Sequence, residues 1–184
     1  CHDQDTTPTL TVNIATGTPE EAGELAAYCA SWYTSKGVDP PLVYWHIGNH
    51  PYHYTTAHMT PGMYVDVLSR FVPAVTQHYP NCRIVAVMSR AQLDAPKEEA
   101  AWREAIFKEA AGLVDVVEVQ TYGGIGATPQ DPGSYTGGVA NAREQVHRIS
   151  TVVADVEHAF TACSEDLASR SLEIKLGIAE WNWW

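Results

Sequence analysis

The chain has 184 residues, 45% of them hydrophobic, with 22 acidic against 11 basic side chains and a formal charge of -11. That length supports one sizeable core and falls short of two ordinary domains. The negative balance repels phosphate backbones and anionic membrane faces, so neither nucleic acid nor a membrane is expected as a partner.

Six Trp and nine Tyr argue against disorder. In an acidic protein such aromatic richness suits neutral polar ligands such as sugars, whose apolar ring faces stack on aromatic rings. Cys1, Cys29, Cys82 and Cys163 are widely spread and form no C-x-x-C pair. Neither a zinc site nor a compact disulfide framework is indicated, and buried free thiols are expected. Cys at position 1, where Met would stand, is expected to mark a processed or cut N-terminus.

In chain order, "TLTVNIAT" (9–16) is a short strand-forming run. Thr18-Pro19-Glu20-Glu21 then carries a helix start: a capping threonine, proline at the first position and a glutamate that completes a capping box. This helix is expected to reach about Trp32 and to stop before Gly37. "LVYWHIGN" (42–49) is nearly all apolar, as a strand buried on both faces should be. Thr60-Pro61 repeats the start signal, and Tyr64, Val67, Leu68, Phe71, Val72, Val75 and Tyr79 form one helical stripe, with a kink expected at Pro73.

"RIVAVMS" (83–89) is a third strand, and the helix "KEEAAWREAIFKEAAG" (97–112) has Gly112 as its expected stop. "VDVVEVQTY" (114–122) is a fourth strand. A Gly, Pro, Thr and Ser-rich loop (123–138) follows, long enough to suggest a functional lid or rim. A helical pattern over about 139–168 leads into "LEIKLGIAEWNWW" (172–184), the fifth strand.

Strands alternating with helices specify a parallel α/β architecture with right-handed crossovers. Two arrangements fit, an open doubly wound sheet and a (β/α)8 barrel. "IATGTPEE" after the first strand lacks the G-x-G-x-x-G and Walker signatures of the first. For the second, polar and aromatic residues gather just past the C-terminal strand ends, where barrel chemistry sits: Asn49 and His50, Gln120 and Tyr122, Glu180 and Trp181. The expected unit is one partial (β/α)8 domain over residues 1–184.

Glu180 closes an apolar strand, where a carboxylate is costly unless hydrogen-bonded or used. Tyr122 ends the preceding strand, so in a barrel its hydroxyl is within reach of a carboxylate there. The fragments "TVNIATGTPEEAGELAAYC", "VYWHIGNH", "RIVAV", "VDVVEVQTYGG" and "IAEWNWW" together resemble, in order and spacing, the third to seventh strands of the catalytic barrel of glycoside hydrolase family 51 α-L-arabinofuranosidases and their clan relatives. The resemblance implies a retaining glycosidase acting on plant-type saccharides, with no cofactor or metal. It implies Glu180 as nucleophile, Tyr122 as the residue that orients it and Asn49 as a donor to the sugar 2-hydroxyl, with Gln120 and Trp181 also lining the substrate site.

Two residues depart from the family pattern. His50 stands where the family has its general acid/base glutamate, and Gln120 where an H-x-Y pattern would have histidine. Impaired catalysis is therefore expected, because an imidazolium beside a developing oxocarbenium ion is unfavourable. The alternative is a non-catalytic carbohydrate-binding or structural homologue that keeps the scaffold. A metal site among His46, His50, His53 and His58 is a weaker rival, since the extended chain sets His46 and His50 about 13 Å apart. Five strands fall short of a closed barrel, so a fragment, or completion by association, is expected.

Overall fold

The capping box expected at Thr18 forms. Its hydroxyl accepts from the Glu21 N–H at 3.2 Å, and the Glu21 carboxylate accepts from the Thr18 N–H at 2.8 Å. In the computed structural model, residues 6–52, 59–90, 96–123 and 138–183 are described, with backbone alone at 89–90, 96–97, 121–123, 138–152 and 179–183. The elements are β1 (Thr9–Val12), α1 (Pro19–Ser35), β2 (Val43–Ile47), α2 (Pro61–His78), β3 (Cys82–Arg90), α3 (Pro96–Glu109), β4 (Val116–Gly123), α4 (Gly138–Arg170) and β5 (Lys175–Trp183).

All five strands are parallel and lie in sequence order, β1-β2-β3-β4-β5. A doubly wound sheet reverses its strand order at a switch point, and this sheet never does. With right-handed crossovers, one-way winding carries every connecting helix to the same face. The other face is left to line an interior, which makes these units part of a (β/α)8 barrel. Among the described residues β1 and β5 each pair on one side only, so the sheet is not closed.

Strand alternation divides the side chains. Val43, Trp45 and Ile47 of β2, Ile84, Ala86 and Met88 of β3, and Val117 and Val119 of β4 belong to the core beneath the helices, with Tyr64, Leu68, Phe71 and Val75 of α2 and Trp102 and Ile106 of α3. Burying each large apolar side chain contributes roughly 1.5–3 kcal/mol.

Several boundaries differ from the sequence reading for local reasons. β1 stops at Val12 because the Asn13 carboxamide oxygen accepts from the N–H groups of Ala15 (3.0 Å) and Thr16 (3.2 Å), which turns the chain. Gly17 fits there because a Cβ would lie 2.5 Å from the Asn13 carbonyl oxygen. α1 continues to Ser35, one turn past the expected end. Gly112 does not end α3; it lies in a 3-10 turn, Ala111–Leu113, that follows it. Most of the Gly-rich loop, 124–137, lies outside the described residues.

Cys82 and Cys163 are buried and Cys29 is partly buried, all three as free thiols, while Cys1 lies outside the described residues. Burial pushes the Cys163 thiol up to about 12. Among the described residues no helix is long and apolar enough to cross a membrane.

Candidate functional site

The inward face of the sheet carries polar side chains on β2 and β4 among apolar ones such as Val85, where the outward face is apolar. Halfway up, His46 of β2 pairs through Nδ1 with Oε2 of Glu118 on β4 at 2.9 Å. With Thr9, Tyr44, Val85 and Val116 they line an open hollow of about 280 Å³. Glu118 is only 3% exposed, and at that depth a carboxylate needs such a partner.

Above this layer, at the C-terminal strand ends, the stretch after β2 meets β4. Gly48 has φ +84, a conformation that strains any residue with a side chain, and a Cβ there would press on Ile14 Cδ1 at 2.3 Å. The turn it makes presents Asn49 and then His50, itself in the left-handed region at φ +47. Gln120 of β4 is fully buried, and its Nε2 donates to Asn49 Oδ1 at 2.7 Å. Its Oε1 accepts from the Tyr52 hydroxyl at 2.7 Å. The same hydroxyl oxygen lies 3.4 Å from His50 Nδ1. Asn49, His50, Tyr52 and Gln120 thus form one connected polar group at the rim.

The helix layer supports this group. Tyr64 of α2 reaches between β2 and β3 where their ladder has ended: its hydroxyl donates to the Ile47 carbonyl at 2.7 Å and accepts from the Val87 N–H at 2.9 Å. Burial raises the Tyr64 hydroxyl well above the ordinary tyrosine range. Trp102 of α3 packs against the rings of both Tyr64 and Tyr52, with centroids at 5.5 and 6.1 Å.

The ladders on both sides of Gln120 are irregular. β3 shifts register between Val87 and Arg90 against Glu118 and Gln120, and β5 shifts between Ile178 and Trp181 against Val119 and Thr121. Each neighbour therefore supplies one extra residue beside Gln120. In β5 the extra residue falls at 179–180, so Glu180 stands where the alternation set by Leu176 and Ile178 is broken. Such bulges recur beside active sites because they redirect side chains.

Of the residues singled out from the sequence, Asn49, His50 and Gln120 are brought into one group. Tyr122 and Glu180 lie on adjacent paired strands, with Tyr122 opposite Asn182 and Thr121 opposite Trp181. The side chains of Tyr122, Glu180 and Trp181 lie outside the described residues. The four-histidine grouping does not assemble around His46, which Glu118 occupies, and His53 and His58 lie outside the described residues.

The roles of four residues were not legible in the sequence. Tyr52 sits two residues past His50 beyond Pro51, in a turn where neither strand nor helix periodicity applies. The hydroxyl role of Tyr64 was hidden in its apolar stripe. His46 and Glu118 stand at like positions of their strands, but only the strand order puts them on one face.

No family model and no curated protein matches the sequence. Solved structures do. The chain is similar to a family 51 arabinofuranosidase from Xanthomonas axonopodis pv. citri, with a TM-score of 0.77 and 18% identity over 97% of this chain and 37% of that one. It is similar to a family 51 α-L-arabinofuranosidase from Bifidobacterium longum at TM-score 0.73 and 18% identity, over 100% of this chain and 36% of that one. A family 44 endoglucanase from Clostridium thermocellum aligns at TM-score 0.56 and 14% identity, over 87% of this chain and 40% of that one. The chain spans little more than a third of the length of the arabinofuranosidases it matches. At these identities the likeness is one of fold: five consecutive strands of a (β/α)8 barrel with the four helices that connect them.

Proposed function

We propose that the chain forms part of the barrel of a retaining glycosidase of the α-L-arabinofuranosidase type, acting on plant-type saccharides. Glu180 is the nucleophile, Tyr122 orients it, Asn49 holds the sugar 2-hydroxyl, and Trp181 and Gln120 line the sugar site. His50 occupies the acid/base position, and turnover is correspondingly impaired. The remaining β/α units come from further polypeptide or from association.

The observation that carries this reading is the hydrogen bond from Gln120 to Asn49 at 2.7 Å, with His50 joined through Tyr52, on the C-terminal rim of a barrel whose solved likenesses include arabinofuranosidases. A buried carboxamide spent on holding Asn49 fits a rim where a sugar hydroxyl must meet a fixed partner. In a retaining mechanism one carboxylate attacks the anomeric carbon while a second group protonates the leaving oxygen and later deprotonates water. With histidine in the second role, the first step has a poorer proton donor.

The test is turnover of an aryl α-L-arabinofuranoside by the parent, Glu180→Ala and His50→Glu. The expected results are slow turnover by the parent, loss with Glu180→Ala, and a gain of about 10²- to 10⁴-fold with His50→Glu, the usual worth of a general acid/base. Turnover unaffected by Glu180→Ala overturns the assignment.

A second reading, a carbohydrate-binding homologue without catalysis, is favoured by the backbone of His50. The left-handed region at φ +47 is one that histidine enters more readily than most residues. Saccharide binding by the parent with no turnover in any of the three proteins would select it.

A further inference from the structure

We infer that Tyr52 is a positioning residue for His50, and that it holds the neutral imidazole as the Nδ1–H tautomer, so that Nε2 is the nitrogen that gains and loses the proton. The inference rests on the proposed function for its catalytic meaning, although the tautomer itself is independent of turnover.

Gln120 has one carboxamide, and its Nε2 faces Asn49 Oδ1, which accepts only. Its other end, Oε1, therefore faces Tyr52 as an acceptor, at 2.7 Å. A tyrosine has a single O–H, and this one is given to Gln120. The contact of 3.4 Å between the Tyr52 oxygen and His50 Nδ1 can then be a hydrogen bond only if Nδ1 carries the hydrogen. In a neutral ring that leaves the lone pair on Nε2.

Geometry keeps the phenol where this chain of donors needs it. Trp102, 1% exposed, meets the Tyr52 ring edge-on, and the His50 ring lies 5.9 Å from that of Tyr52. Gln120 is held by a strand rather than a loop, which fixes the place of its carboxamide, and the direction inferred is the one with Nε2 toward Asn49 and Oε1 toward Tyr52. The opposite direction exists as a coherent rival. With both carboxamides turned over, Gln120 would donate to Tyr52, Tyr52 to Nδ1, and the ring would be the Nε2–H tautomer.

As a catalytic group, the Nδ1–H form fixes the route of the proton. The imidazolium gives its Nε2 proton to the glycosidic oxygen as the bond to the anomeric carbon breaks. The neutral ring then takes a proton from the attacking water at the same nitrogen.

The decisive measurement is the nitrogen-15 spectrum of His50 in the parent protein, at a pH where the ring is neutral, with the signals assigned by their loss in His50→Asn. The expected result is a protonated, pyrrole-type Nδ1 and an unprotonated, pyridine-type Nε2. The reverse pattern overturns the inference without any further variant. Tyr52→Phe should then shift the ring toward Nε2–H, the form free histidine side chains favour; an unchanged Nδ1–H signal would show that Tyr52 is not what holds it. If the tautomer is as stated and no variant turns over an arabinofuranoside, the positioning stands and the proposed function falls.

Discussion

The two faces of the same strands differ in what they ask of their residues. On the outward face of β2, Trp45 and Ile47 need only shape and apolar surface, and they are fully buried against the helices. On the inward face of β2 and β4, His46, Glu118 and Gln120 each need a named partner at hydrogen-bond distance. Apolar burial is proportional to area and indifferent to direction, whereas a buried polar group is costly unless one specific atom meets it. The outward face therefore sets stability, and the inward face carries the directional contacts a site requires.

The largest expected effect lies on the outward face. Trp45→Ala removes a fully buried ring that meets Tyr79 edge-on at 6.0 Å, and a loss of about 3–5 kcal/mol is expected in chemical denaturation. Trp45→Phe should cost much less, because the indole N–H it removes has no partner among the described residues. Equal losses in the two variants would mean that this face is not the shape-only surface described.

Tyr64→Phe tests the group that crosses between the faces. It leaves the Ile47 carbonyl and the Val87 N–H without their present partner, at an expected cost of about 1–3 kcal/mol. Because Ile47 precedes the Gly48 turn, the His50 resonances should also shift. A loss of stability with no change at His50 would confine Tyr64 to the helix layer.

The smallest expected effect concerns a charge buried in the helix layer. Glu99 of α3 is 2% exposed and accepts from Arg103, but Oε2 has no partner among the described residues. Burial raises its carboxyl above the ordinary 4.5, opposed by Arg103 and His158 and assisted by Asp155. The folded state thus holds this proton more tightly than the unfolded chain does. Stability from this group is fullest below the ordinary carboxylate value and is lost as pH rises through the raised one. Glu99→Gln should flatten that part of the melting temperature profile, and an unchanged slope would mean that Glu99 is not its source.

Much of the fold was legible because it rests on local signals. The capping box at Thr18, the stripe of α2 and the apolar runs of β2 to β4 each follow from periodicity and from side-chain chemistry within a few residues. Helix and strand ends were less legible: Asn13 turns the chain by bonding to its own neighbours, and Gly112 enters a 3-10 turn where a simple stop was expected. At the rim, Asn49, His50 and Gln120 stood out as polar residues at apolar strand ends. Tyr52 did not, because its meaning depends on Gln120, 68 positions away.

By itself the sequence determined the order of strands and helices, the apolar face of each, and which strand ends carry polar groups, since these depend on interactions that span only a few residues. Tertiary structure alone decided that the sheet winds one way, that His46 meets Glu118, and that the ladders slip on both sides of Gln120. The physical reason is that hydrogen-bond direction and strand register are properties of pairs brought together by the fold, and neither partner alone encodes them.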